Sequence, residues 1–298
     1  MEPTSYSDPK TLGSLQHLKL STQMVLDSLK KGQHLNPRAG YSIEFSQHRE
    51  YAAGDDLRHL DWKAYARTDR LYVKQFQDET SLCCYLAVDN SLSMSFQGPT
   101  VSSSKYHHAA LLASCISRLV VQQGDAVGLS LLGGESARSL LPSDQPSQWS
   151  RAVQFLEQGQ PKKSDGDWMV GLSSLGFEMG NRGVIFLIGD WLDELAGLGE
   201  ILQRFRESLH LDVRVVHILD PEELEPTLQG RVQLEDLERG DRLRVNADRI
   251  RQAYLQEMED YLRDFRAICH RFGARYELLK TDDTIANVLP RLLAAEGS

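Results

Sequence analysis

A chain of 298 residues, 41% of them hydrophobic, is long enough to bury a large core, as one domain or as a domain with an arm. Its formal net charge of -9 excludes a general nucleic-acid binder, which carries a basic surplus. No apolar run reaches the roughly 18 residues that cross a bilayer, and MEPTSYSDPK lacks the basic-then-apolar pattern of a signal peptide, so a cytoplasmic protein without membrane insertion is expected.

In chain order, Thr11 to Lys31 has a loose helical stripe of Leu12, Leu15, Leu18, Val25 and Leu29, ended by Gly32. After Thr80 the pattern becomes regular. LCCYLAVD reads as a strand, KYHHAALLASCISRLVVQQ as a helix stopped by Gly124, and DAVGLSLL as the next strand. The adjacent His107 and His108 cannot both face one metal from a helix, and a surface place is expected for them. SARSLLP reads as an edge strand, because proline cannot donate to a ladder. Helices are expected at Gln148 to Glu157, at Trp168 to Met179 and through LDELAGLGEILQRFRESL, with the strand GVIFLIGD before the last of these. DVRVVHIL is a strand, RVQLEDLERGDRLRV a hairpin turning near Arg239 and Gly240, and Asp248 to Phe272 a long helix whose stripe packs on the sheet. The acidic stretch PEELEP through LERGD reads as a solvated face. ARYELLK and a helix to about Ala294 close the chain. Apolar strands alternating with amphipathic helices predict an α/β fold, a mostly parallel sheet covered on both faces. The expected division is an arm over residues 1–79 and the sheet domain over residues 80–298.

Two apolar strands end on a carboxylate, Asp89 and Asp190, and Asp89 is followed by Ser91 and Ser93 in VDNSLSMSF. Ligands of open α/β sheets sit beyond the carboxyl ends of the strands. Two readings are open there: Asp89, Ser91 and Ser93 cap the following helix, or they converge with Asp190 on a cation. Two carboxylates, two hydroxyls and water suit Mg²⁺, which takes six oxygens.

DNSLS resembles the first motif of the metal-ion-dependent adhesion site of von Willebrand factor A domains. GYSIEF, REYAAGDDLRHLDWKAYARTDRLYVKQFQDE, QGDAVGL, VIFLIGD and CHRFGARYELLKTDD together resemble the bacterial family called domain of unknown function 58, which is von Willebrand factor A-like. The resemblance runs from Asn36 to the end. It implies a Rossmann-like sheet with a metal site at its top, genetic association with MoxR-type AAA+ ATPases, and no assigned catalytic activity. Within GDDLRHLDWKAYAR, the residues Asp55, Asp56, Arg58, Asp61, Trp62, Lys63 and Arg67 form either a self-paired clamp or a docking surface for a protein partner.

Relatives place a threonine where this chain has KKSDGDWMVGL. Ser164, Asp165 or Asp167 would replace it, or the position is empty at Gly166 and Asp167 caps the helix starting at Trp168. A third carboxylate beside Mg²⁺, Asp89 and Asp190 makes the cluster -1, which would repel an acidic partner ligand; on that count Mg²⁺ is structural and the partner docks elsewhere. GxxxxGK[ST], HExxH and GxSxG are absent from the sequence. On the family resemblance, the expected function is a non-catalytic adaptor for an AAA+ ATPase. The alternative is a metal-dependent hydrolase using Asp89 and Asp190.

Overall fold

The computed structural model describes residues 18–27, 48–50, 72–74, 83–133, 138–161, 171–172, 183–192, 195, 197–235, 237 and 242–294. Contacts divide the chain into a larger unit, Met1–His34 with Leu82–Ser298, and a smaller one, Leu35–Ser81. In the smaller unit β1 (His48–Glu50) pairs antiparallel with β2 (Tyr72–Lys74). Asp55, Asp56, Arg58, Asp61, Trp62, Lys63 and Arg67 lie outside the described residues, as do Ser164, Asp165 and Asp167.

The larger unit is built on six strands: β3 (Cys83–Val88), β4 (Ala126–Leu131), β5 (Arg138–Ser143), β6 (Gly183–Gly189), β7 (Leu211–Leu219) and β10 (Arg275–Lys280). Their order is β10-β7-β6-β3-β4-β5, with every pair parallel except β4 with β5. β3 and β6 are apolar on both faces because both faces are covered. Cys84, Leu86 and Val88 point into one core with Phe186, Ile188, Val216 and Ile218. Tyr85 and Ala87 point into the other with Ile185, Leu187, Val213 and Val215. β5 carries Pro142 and lies at the edge, and its register on β4 shifts between Val127 and Leu129.

The first core is roofed by α1 (residues 18–27), α2 (Lys105–Gln123), α3 (Gln148–Gln158) and α7 (Ile285–Leu293). Ser104 caps α2 by accepting from the His107 amide, and Gly124 ends it at φ 84°, a left-handed conformation that favours glycine. His108 is buried, against the surface place expected for it: its Nε2 faces the Asp283 carbonyl at 3.0 Å. The start of α2 is folded under the loop after β10, and that covers the ring.

The second core is closed by α4 (Leu198–Gln203), which runs into a π-helical turn at Arg204–Ser208, and by the end of α6 (Ala247–Arg271). The helix expected from Leu192 begins only at Leu198, because its N-cap Gly197 is left-handed at φ 87°. The stripe of α6 packs for only part of its length. Phe265 and Cys269 are buried, while Ile250 is 38% exposed, since the first turns run past the sheet. α5 (Pro221–Leu224) follows β7 directly. Next come β8 (Arg231–Glu235) and β9 (Arg242–Asn246), the expected hairpin, with Leu234 opposite Leu243 on one face. No helix among the described residues is long and apolar enough to cross a membrane.

α1, within the expected arm, belongs to the larger unit. Leu18 and Leu26 are buried in the first core, and the Thr22 hydroxyl meets that of Ser114 at 2.8 Å. Burying one leucine contributes about 1.5–3 kcal/mol. A chain beginning at Thr80 is expected to melt well below the full chain or to lose its cooperative transition. Calorimetry checks this, and an unchanged melting temperature would refute it.

Candidate functional site at the strand ends

β3 and β6 are adjacent and in register, with Val88 opposite Ile188, so both chains leave the sheet at the same height. The Asp89 amide donates to the Ile188 carbonyl at 2.8 Å and continues the ladder by one step. Close approach is possible because residue 189 is glycine: a Cβ there would stand 2.7 Å from that of Asp89. Asp89 and Asp190 are 1% and 3% exposed, and the sheet brings them together as the sequence predicts.

The segment after Asp89 is a turn held by its own polar groups. The Asp89 Oδ1 accepts from the Ser91 amide at 2.8 Å. Asn90 bridges outward, its Oδ1 accepting from the Gly133 amide at 2.7 Å and its Nδ2 donating to the Gly159 carbonyl at 3.3 Å. A 3₁₀ turn, Leu92–Ser95, follows, and Met94 is fully buried beneath it. The Ser91 side chain caps nothing in that turn, and the cap of α2 is Ser104. Their hydroxyl oxygens lie 2.9 Å apart, both half-buried.

Asp190 is held from behind. Trp191 adopts φ 49°, a left-handed conformation that costs a non-glycine residue on the order of 1–3 kcal/mol. Packing over-determines it: Trp191 is 1% exposed, its Nε1 donates to the Val216 carbonyl at 3.3 Å, and the Tyr261 hydroxyl donates to its carbonyl.

Two residues of the site escaped the sequence reading. Lys105, in the first turn of α2, is buried completely. Its Nζ donates to Asp190 Oδ2 at 2.8 Å and to Glu223 Oε1 at 2.6 Å, with the Phe96 ring 5.8 Å away. Burial alone would lower its pKa, but the charges of Asp190 and Glu223 outweigh that and hold it above the ordinary value, so the ammonium stays charged. Glu223 belongs to PEELEP, expected as a solvated face. Instead its other oxygen accepts from the Asp220 amide at 2.8 Å, completing a capping box around α5. Asp220, fully buried, accepts from Gly98 N, Glu222 N and Thr281 Oγ1 at 3.0, 3.0 and 2.9 Å. Those bonds tie the turn after β3 to the ends of β7 and β10. Two signals were available: the spacing of Asp220 and Glu223, and a lysine at the positive end of a helix dipole, where an unpaired cation is unfavourable.

The donors fit a small hard cation in part. Oxygens bound side by side to Mg²⁺ at ~2.0–2.1 Å stand about 2.9 Å apart in an octahedron. The Ser91–Ser93 separation equals that edge, and the Asp89 carboxylate lies beside them. Asp190 is different, since one of its oxygens already holds an ammonium. Among the described residues there is no group of three or more His, Cys, Asp and Glu side chains that could hold a metal, so the hydroxyls would be indispensable.

Burial, and then the charge of Asp190, push the Asp89 carboxyl from 3.8 up to about 7. Between those values the folded chain keeps a proton that the unfolded chain releases, so stability falls as pH rises through that window. In chelator, the wild type should be more stable at pH 5 than at pH 8. Asp89→Asn should lose this contribution and melt above the wild type at pH 8. Parallel thermal melts of both proteins from pH 4 to 8 measure the difference, and superimposable curves would contradict it.

A sheet ordered 3-2-1-4-5-6 in chain order, with its third strand antiparallel at the edge, is the Rossmann-like, doubly wound sheet that the resemblance implies. Among solved structures the chain is similar to BatB from Bacteroides thetaiotaomicron, with 19% identity, 71% of this chain and 97% of that one covered, and a TM-score of 0.48. It is similar also to the SpRpn10 VWA domain, with 10% identity, coverage of 74% and 99%, and a TM-score of 0.42. An uncharacterized protein of Mycobacterium bovis is 28% identical over 288 residues, 95% of this chain and 89% of that protein. An uncharacterized protein of Mycobacterium tuberculosis matches to the same extent. The family model described as "Protein of unknown function DUF58" matches residues 47–262, well over half of the chain, and the chain belongs to that family.

Proposed function

We propose that this chain is a non-catalytic, cytoplasmic protein-interaction module that docks a partner over the carboxyl ends of its sheet, and that the partner is a MoxR-type AAA+ ATPase. One observation carries the reading: Ser91 and Ser93 present two half-buried hydroxyls, 2.9 Å apart, above a buried carboxylate on a rigid strand end. Preorganised oxygens at a solvent-facing edge suit a shared ligand more than a structural cap. Asp89, Ser91 and Ser93 would hold a divalent cation of the Mg²⁺ class, leaving room for a carboxylate from the partner. The choice of ATPase rests on the family resemblance of the segments around GDDLRHLDW and VIFLIGD.

The charge count supports docking at this place. With Lys105 and Glu223 included, three carboxylates, one ammonium and Mg²⁺ sum to zero. Lys105 thus offsets Glu223, while Asp165 and Asp167, on which the expected repulsion rests, lie outside the described residues.

Binding of the purified chain to the MoxR-type ATPase of its own genome tests the proposal. The double variant Ser91→Ala/Ser93→Ala should weaken binding at least tenfold, chelator should act in the same direction, and Arg263→Ala, on the exposed side of α6, should leave it unchanged. Equal binding by the double variant would place the docking surface elsewhere. Turnover of generic phosphoester and ester substrates by the chain alone would replace the adaptor reading by hydrolysis.

A further inference from the structure

We propose that Lys105 sets the cation affinity of the strand-end site: its ammonium occupies Asp190, and a divalent cation is left with Asp89, Ser91 and Ser93 alone. This rests on the strand-end reading above, but concerns the isolated chain and not its partner.

Lys105 is placed there by construction. It lies in the first turn of α2, one residue after the cap Ser104, and its amide donates to the Phe96 carbonyl at 3.1 Å. The side chain runs under the Phe96 ring and ends between Asp190 and Glu223 at 2.8 and 2.6 Å. Neither carboxylate is free to turn away. Asp190 is fixed by the left-handed Trp191, and Glu223 is fixed by the Asp220 amide on its second oxygen. Removing one partner of such a buried set leaves an uncompensated charge.

A divalent cation that took Asp190 as a direct ligand would bring two positive charges against the fixed ammonium in a poorly screened pocket. It would also draw on the carboxylate that keeps Lys105 satisfied. The lysine therefore competes for Asp190 on unequal terms, because it is tethered and the cation is not. The anionic ligand that remains is Asp89, backed by two neutral hydroxyls. Such a donor set binds Mg²⁺ weakly until another carboxylate is added, so the chain depends on its partner to retain the cation.

Calorimetric titration with Mg²⁺, and with Mn²⁺ as a paramagnetic probe, of the full chain and three variants tests this. Lys105→Met should bind at least tenfold more tightly than wild type, because Asp190 is released. Asp190→Asn in the wild-type background should change affinity less than threefold, whereas Asp190→Asn in the Lys105→Met background should abolish the gain. Should Lys105→Met be unfolded in chelator, Mg²⁺ is expected to restore its cooperative melt by replacing the lost positive charge. A Lys105→Met protein that binds no better than wild type, or stays unfolded with Mg²⁺ present, overturns the proposal. So does loss of wild-type binding on Asp190→Asn. Loss of ATPase docking with these titrations unchanged would be a fault of the docking proposal only.

Discussion

Two water-shielded carboxylates at the ends of neighbouring parallel strands repel each other and call for positive charge. In this chain Lys105 supplies it to Asp190, and the rest of the strand-end architecture follows from that contact. An ammonium can be buried here because it meets two acidic oxygens and lies under an aromatic ring. Each partner is then held by something else. Glu223 is locked into the capping box of α5, and Asp190 is followed by a strained, fully packed tryptophan. The ion pair thus joins the first turn of α2, the end of β6 and the turn after β7, three segments far apart in the chain.

Asp220 does for the outer half of this end what Lys105 does for the inner half. Its carboxylate gathers amide and hydroxyl donors from the turn after β3, from α5 and from the loop after β10. Gly98 has to be glycine for this, since a Cβ would stand 2.2 Å from Asp220 Oδ1. The turn that carries Ser91 and Ser93 is therefore fixed by buried polar bonds. Strand ends contribute direction, and these bonds contribute position.

Much of this was legible from the sequence because the governing periods are simple. β3 and β6 read as strands buried on both faces, and β5 as an edge from its proline. The convergence of Asp89 and Asp190 followed from two strand-end carboxylates in an alternating α/β pattern. What stayed hidden depends on contacts between distant segments. Lys105 is 85 residues from Asp190 and 118 from Glu223, and a lysine in a first helical turn reads as solvated. Glu223 was masked by its acidic neighbours, although its spacing from Asp220 carried the capping signal. In α6 the error ran the other way. Its apolar period continues past the point where the sheet can cover it, and periodicity alone does not say where a partner surface stops.

The lysine also changes what the carboxylate count means. Counting acidic residues alone, every added carboxylate makes a cation site more negative and less receptive to an acidic ligand. With an ammonium bound to two of them, one of their two negative charges is offset inside the protein, and the outward face carries Asp89 and two hydroxyls. On the proposed reading a cation held there makes the whole cluster formally neutral, so a carboxylate from another protein would meet no net negative charge. On that reading, the buried pair that would weaken the site for metal alone would make it more selective for metal and partner together, and the coupling would be reciprocal.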